Sequence, residues 1–335
     1  MELNTISLSD FTKLATVIFE KNKASLPEEA KKSGMFAVTS IPQGTGNTRE
    51  FTEIDLEEYA SAKGQSDQAS RATVQQGYSK TMTSKRIAKD IGVSYEMRTQ
   101  NKYPEVMRRL TNLSGLAVNR RDLDLQHQIG FATATSYTDK DGDTVTTTMG
   151  DGYQLAYTAH TLKGSSTTYR NILANNPQLS KGALEGMEKL CVEETYNHLG
   201  EKVVVPFDIL WTTDDPNTIN TAREYLKSTS EISAPNAGVV NVYKGKYKHV
   251  ILSRVATTAA GAKNSDKAKY WGLASSMKTT AHLGIWEEPR LKTPANLNAG
   301  EEFSTDDWNY GVRAGYGIVI VEGTWFKMSK GDGAA

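Results

Sequence analysis

Three aspartates alternate with other residues in Asp139-Lys-Asp-Gly-Asp143, the spacing with which a calcium loop begins. Such a loop would hold a hard cation in carboxylate oxygens. Thr144 stands where the turn glycine belongs, and Gly150 stands where the bidentate glutamate belongs, so the pattern fails twice. Asp141-Gly142 between alternating residues is instead a hairpin-turn signal, with strands expected at 131–137 and 144–149. Gly44-Thr-Gly46 lacks the third glycine and the apolar helix of a phosphate cradle, and no Walker pattern or Gly-x-Ser-x-Gly elbow occurs. His127, His160, His198, His249 and His282 are far apart, and none pairs with another His or Cys at ligand spacing. Cys191 shares an apolar helix face with Leu184 and Met187 and reads as a small core residue, not a nucleophile. The acid pairs Asp214/Asp215, Glu287/Glu288 and Asp306/Asp307 are adjacent in sequence and seldom converge as general acid and base; Asp214/Asp215 serve better as a helix cap. Asn112-Leu-Ser114 matches a glycosylation acceptor but falls inside a long helix. The expectation is no catalytic, cofactor or metal residue, with a metal-dependent hydrolase using Asp139, Asp141 and Asp143 as a distant alternative.

The chemistry that remains is charge. Residues 71–121 hold eleven Lys and Arg against three acids, a balance of +8, while residues 1–70 and 122–335 each balance at −4. A neutral total divided in this way suits a protein that binds copies of itself, basic segment to acidic body. Clustered Arg also contacts nucleic-acid phosphate, and a plain solvated basic face is the third option. Arg71, Lys80, Lys85, Arg86, Lys89 and Arg98 fall on extended sequence, where contact with another subunit is expected. Arg108, Arg109, Arg120 and Arg121 fall on helical sequence, facing either DNA or, preferably, the acids of an adjacent hairpin or arm. Residues 50–58 form an acidic run.

Particular elements must hold these charges. In 86–97, Ile87, Ile91, Val93, Tyr95 and Met97 lie on one side and Arg86, Ala88, Asp90, Ser94 and Glu96 on the other. The alternation predicts one strand of a long two-stranded hairpin, about 40 Å in length and about twice the common strand. A hairpin so long cannot bury its apolar side on itself, so it implies an arm reaching another subunit. Asn101-Lys-Tyr-Pro104 then starts a helix that Val106, Leu110, Leu113, Ala117 and Ile129 carry onward, a rod near 40 Å.

Ser9-Asp10 caps a helix bearing Phe11, Leu14, Ala15, Ile18 and Phe19. A short helical piece at 27–32 stops at Gly34, and 35–41 reads as a strand. This opening looks like an amphipathic arm more than core. Ser180 caps a helix expected to close at Gly200, and Val203-Val-Val-Pro206 reads as a short buried strand. Asp215-Pro216 starts a helix through Ile219, Ala222 and Leu226. Strands are expected at 239–243, 249–253, 317–323 and 324–328. Helices and antiparallel strands in separate blocks give the class α+β.

The 335 residues suffice for one large domain or two smaller ones. Mean hydropathy is negative, and no apolar run approaches the roughly 20 residues that span a bilayer, so no membrane partner is expected. The acidic, polar start is no signal peptide, and the single cysteine excludes an internal disulfide framework, which together imply an intracellular chain at synthesis.

Taken in order, these pieces resemble the major capsid proteins of tailed bacteriophages, the Hong Kong 97-type fold. The resemblance rests on Lys85-Arg-Ile-Ala-Lys-Asp-Ile-Gly-Val-Ser-Tyr-Glu96 leading to Tyr103, Arg109 and Leu110, and on Asp151-Gly-Tyr-Gln-Leu155 with His160. Leu179-Ser-Lys-Gly-Ala-Leu184, Val203-Val-Val-Pro206, Trp271-Gly-Leu-Ala, Glu287-Glu-Pro289 and the ending Arg313-Ala-Gly-Tyr-Gly317 with Trp325 extend it over nearly the whole chain. The Asp-Gly…Leu…His block looks most like the Mu-like major head subunits. The resemblance implies an N-terminal arm at 1–50 and an extended hairpin loop at 51–99. It further implies a peripheral domain at 100–199 and 281–335 with spine helix 104–130, and an axial domain at 200–280.

It implies a non-enzymatic shell subunit that forms the hexamers and pentamers of an icosahedral capsid around double-stranded DNA. The protein would be assembled in the host cytoplasm and become part of the virion. Portal, scaffold and decoration proteins are the implied partners; scaffolding would be a separate protein or trimmed away. An encapsulin-like bacterial nanocompartment is the alternative of the same fold. Some relatives cross-link this hairpin through Lys–Asn isopeptide bonds; Lys80, Lys85 and Lys89 are available, but no partner Asn or catalytic Glu is identified.

Overall fold

The computed structural model describes residues 8–42, 44–55, 60, 62–69, 71, 75–100, 103–197, 199–230, 239–294 and 307–333. Its organising element is helix α4 (Tyr103–Gly130), about 40 Å long, matching the predicted rod. Helix α1 (Leu8–Ser25) lies along it and buries Phe11, Ala15 and Phe19, spaced four apart on one face. Helix α2 (Glu29–Ser33) follows and ends at Gly34, whose φ of 92° is the left-handed cap that glycine adopts without strain. The opening is therefore built into the chain's own core, with Met35 and Phe36 also buried, and does not have the character of a free arm.

Beneath α4 lies a four-stranded sheet. Strand β1 (Ala37–Ser40) runs parallel to β12 (Ala281–Lys292), β12 pairs antiparallel with β13 (Trp308–Ile320), and β13 pairs antiparallel with β4 (Lys85–Val93). Ile87, Ile91, Val93, Val312 and Ala314 face the core shared with α1 and α4. The opposite face carries Arg86, Ala88, Asp90 and Gly92 on β4 and Gly311, Arg313, Gly315 and Gly317 on β13, which is small or polar side chains throughout.

The hairpin differs from expectation. Strand β2 (Thr48–Asp55) pairs antiparallel with β3 (Gln75–Thr83), while β4, one residue further on, belongs to the α4 sheet. The segment ahead of β4 thus turns back to β2, not onto β4. The strand expected through Met97 ends at Val93, because Ser94 breaks it and Tyr95–Thr99 form the short helix α3. Arg86–Val93 bury their apolar side in their own subunit.

Two small hairpins follow, β5 (Ser136–Thr138) with β6 (Thr144–Thr146), and β7 (His160–Thr161) with β8 (Thr168–Tyr169). Gly142 takes a φ of 90° at the first turn, as Asp-Gly foretold. Helix α5 (Lys181–Glu193) is capped by Ser180 Oγ, which accepts from the Ala183 N–H, but it ends at Glu193, short of Gly200. Helix α6 (Pro216–Lys227) is capped by Asp215. Both pack on a second sheet in the order β10 (Lys248–Ile251), β9 (Ile209–Thr212), β11 (Trp271–Ala274), β14 (Phe326–Ser329). Trp211, Trp271 and Phe326 are fully buried there, as strands covered on both faces require. The expected strand at 203–206 is exposed loop, with Val204 90% accessible. The expected strand at 239–243 is reduced to a single bridge at Val240, with Val239, Val240 and Val242 exposed.

Candidate assembly interface

The basic residues divide into cations neutralised within the subunit and cations left at its surface. Lys85 ends the link between β3 and β4 and reaches the aspartate turn, binding Asp139 and lying 3.4 Å from Asp141 and 3.9 Å from Asp143. Arg120 from α4 meets the same turn, 3.0 Å from both Asp139 and Asp141, and also bonds Asp124 at 3.0 Å. Asp139 Oδ1 accepts the N–H groups of Asp141 and Asp143, so the turn is folded around that carboxylate. Burial works against Asp139 ionising, but the Lys85 hydrogen bond and these N–H groups outweigh it and hold the carboxyl below its usual range. The calcium-like aspartates therefore face a lysine and an arginine, and a hydrolase's metal would have to displace both. Among the described residues, no group of three or more His, Cys, Asp or Glu side chains is arranged to hold a metal.

Arg121 is almost wholly buried, bonding Glu28 ahead of α2 and Glu288 on β12, the latter at 2.7 Å. The acids that meet Arg120 and Arg121 thus belong to their own chain, not to a neighbour's hairpin or arm. Beside them Asp122 accepts the Ala30 N–H at 3.0 Å and a Gln126 amide hydrogen at 2.8 Å, and burial pushes its carboxyl up to about 6. Asp124 accepts from Tyr316 Oη at 2.7 Å. These contacts fasten α2, α4 and the sheet together. Apart from Gln126–Asp122, one helical turn apart on α4, these contacts pair residues far apart in the chain, which sequence spacing does not show.

The β2–β3 hairpin lies on the subunit at its base. Met82 is buried over Gly284 and Gly317, where an added Cβ would come within 2.7 Å of its side chain. Phe51 stacks on His282 at 4.3 Å between ring centres. Farther out, Tyr78 Oη meets Thr161 Oγ1 at 3.1 Å, Lys163 donates to the Gly77 carbonyl at 3.0 Å, and Lys80 donates to the Thr148 carbonyl. Burial lowers Lys80 to about 8, partly opposed by Asp151. Nearby, His160 and Asp151 form a buried pair at 2.7 Å, which the sequence left as an isolated histidine.

The surface cations are Arg71, Arg86, Lys89, Arg108 and Arg109. Arg109 meets only Glu105, one helical turn away at 2.8 Å, a pair of small energetic weight. The Arg98 side chain lies outside the described residues. Four cations of the expected set, Lys80, Lys85, Arg120 and Arg121, are thus brought against partners within the subunit. The others are spread over β4, the outer end of α4 and the hairpin.

No protein-family model matches the chain, and no curated protein matches it in sequence. Solved structures do. The virus-like particle from Pyrococcus furiosus superposes on 96% of this chain and 99% of its own at a TM-score of 0.50 and 11% identity. A structure from Gordonia phage Cozz covers 88% of this chain and 84% of its own, at a TM-score of 0.47 and 12% identity. The mature capsid of bacteriophage PhiM1 covers 88% and 84%, at 0.45 and 12%. The fold is the mixed α+β, Hong Kong 97-type capsid fold that the order of motifs implied.

Proposed function

We propose that the chain is a major capsid protein, a structural subunit whose copies form the hexamers and pentamers of an icosahedral shell around double-stranded DNA. The observation that carries this is the end-to-end likeness to a virus-like particle, covering 96% of one chain and 99% of the other. Two surface features support it. Val204, Val239, Val240 and Val242 are exposed on the α5–α6 layer, apolar surface of the kind that marks contact sites. Arg71, Arg86, Lys89, Arg108 and Arg109 leave exposed positive charge for an acidic neighbour or for DNA.

In this reading α4 is the spine, β2–β3 the extended loop, the β1-β12-β13-β4 sheet the heart of the peripheral domain, and 200–280 the axial domain. That axial layer borrows β14 from the far end of the chain. Portal, scaffold and decoration proteins are the expected further partners, and assembly takes place in the host cytoplasm. The likeness to a virus-like particle also favours a second reading, an encapsulin-like bacterial nanocompartment holding enzymes. Nuclease treatment of purified particles separates the two: protected double-stranded DNA supports the capsid, and co-purifying protein cargo without DNA supports the compartment. A 36.8 kDa monomer at all concentrations would overturn both.

A further inference from the structure

A cleft of about 430 Å³ opens between the end of β3, the β5–β6 hairpin and the last turns of α4, with β13 behind it. That volume lies in the range of small-molecule sites. Two polar side chains in its wall are buried yet lack a partner. Gln128 on α4 is 5% exposed and Tyr137 on β5 is 7% exposed. Neither the Gln128 carboxamide nor the Tyr137 hydroxyl meets a hydrogen-bonding group among the described residues. Buried polar groups of this kind are nearly always paired in folded proteins, so each calls for a partner from outside the chain. Burial and the carboxylates of Asp124 and Asp139 push the Tyr137 hydroxyl up, so it stays protonated and is able both to donate and to accept.

The charges of the cleft are already engaged. Lys85 faces Asp139, Asp124 holds Arg120 and Tyr316, and Lys80 donates to the Thr148 carbonyl. With Asp141 and Asp143 at the turn, the acids around the cleft outnumber the bases, so an anion is repelled. A cation in turn meets Lys80 and Lys85 in the wall. What remains free is neutral and able to donate and accept. Threonines stand at the mouth, Thr81 and Thr83 from β3 and Thr144 and Thr146 from β6, all exposed. Val145 and Ile318, both half-buried, add apolar surface to the same cleft. Hydroxyls and amide on one part of the wall, with aliphatic carbon on another, match a sugar ring, which has a hydroxyl edge and a C–H face.

We infer that this cleft binds a neutral sugar, whose hydroxyls pair with Gln128 and Tyr137 inside and with the threonines of β3 and β6 at the mouth. A sugar there touches β3, β6 and α4 at once and fastens the inner end of the hairpin to the body. The site lies within one subunit, so its occupancy does not depend on closure into a shell. Glucose, galactose, mannose and N-acetylglucosamine are the probes, titrated into the full-length chain and followed by saturation-transfer NMR, with glucosamine and glucuronate as charged counterparts. At least one neutral sugar should saturate, and Gln128→Leu and Tyr137→Phe should each weaken it about tenfold, the effect of losing one ligand hydrogen bond. Neither substitution removes a hydrogen bond within the protein, so both variants should melt no lower than the wild type. In the wild-type chain the bound sugar should also slow hydrogen exchange at 81–85, a readout that needs no variant. Saturation by none of the four sugars leaves water as the occupant and overturns the site. Equal affinity in both variants, or tighter binding of glucosamine or glucuronate, overturns it as well.

Discussion

Arg121 and Asp122 are adjacent on α4, both buried, and held in opposite ways. Arg121 is charged and paired with Glu28 and Glu288, so Arg121→Ala leaves the two carboxylates with Lys31 as their remaining cation and should cost about 1–3 kcal/mol, below the range for breaking a fully buried pair because Glu288 is half exposed. Urea denaturation would measure it; an unchanged midpoint would show that the pair contributes nothing. Asp122 is accepted into the fold more readily as the neutral acid: its carboxyl is raised from 3.8 to about 6. The native state therefore binds more protons than the unfolded chain between those values, and this group's contribution declines as pH rises from about 4 to about 6. Asp122→Asn keeps an acceptor for the Ala30 N–H and removes the buried charge. It should raise the melting temperature at pH 7, by at most about 3 kcal/mol of stability, and change it little at pH 4. The charges facing Asp122 are Arg254 and Glu29, so loss of the Arg254 attraction offsets part of the gain. Equal melting shifts at both pH values would refute the assignment.

At the scale of elements, the hairpin's seating depends on two glycines and one methionine. Gly317→Ala would put a methyl group within 2.7 Å of both Met82 and the Thr83 carbonyl, and overpacking of this kind costs about 1–3 kcal/mol. Met82→Ala removes the anchor instead. Both should raise hydrogen-exchange rates in β3 while leaving those of α4 unchanged; equal acceleration in α4 would show that the hairpin is not a separable unit. These elements also mark the limit of what sequence showed. The α4 rod was legible because Val106, Leu110, Leu113 and Ala117 repeat at helical spacing, with no proline after Pro104, and the pattern carries across Gly115. The alternation of Ile87, Ile91 and Val93 gave strand β4 but not its partner, because β13 lies more than two hundred residues away and periodicity carries no pairing information. Val203 to Val205 and Val239 to Val242 look like buried strands by composition, yet the structure leaves most of those valines exposed, as residues meant to meet another molecule would be. The aspartate turn was legible as a hairpin and illegible as the seat of Lys85 and Arg120, which only the tertiary fold brings to it.

At the scale of the whole molecule, the subunit pairs Asp139, Asp124, Glu28 and Glu288 with its own cations and displays exposed valines and exposed basic side chains on its surface. If the packaged polymer is DNA held by these surface cations, its release should depend steeply on salt and not on sequence. Replacing Arg108 and Arg109 by Ala should reduce that salt dependence without reducing particle number, whereas an unaltered salt profile would exclude those two from the DNA-facing surface. The central claim is closure into a shell. Negative-stain micrographs of the purified wild-type chain test it most directly: the account predicts closed particles of uniform diameter with icosahedral symmetry, and a field of dispersed 36.8 kDa monomers under every condition that keeps the chain folded would contradict it.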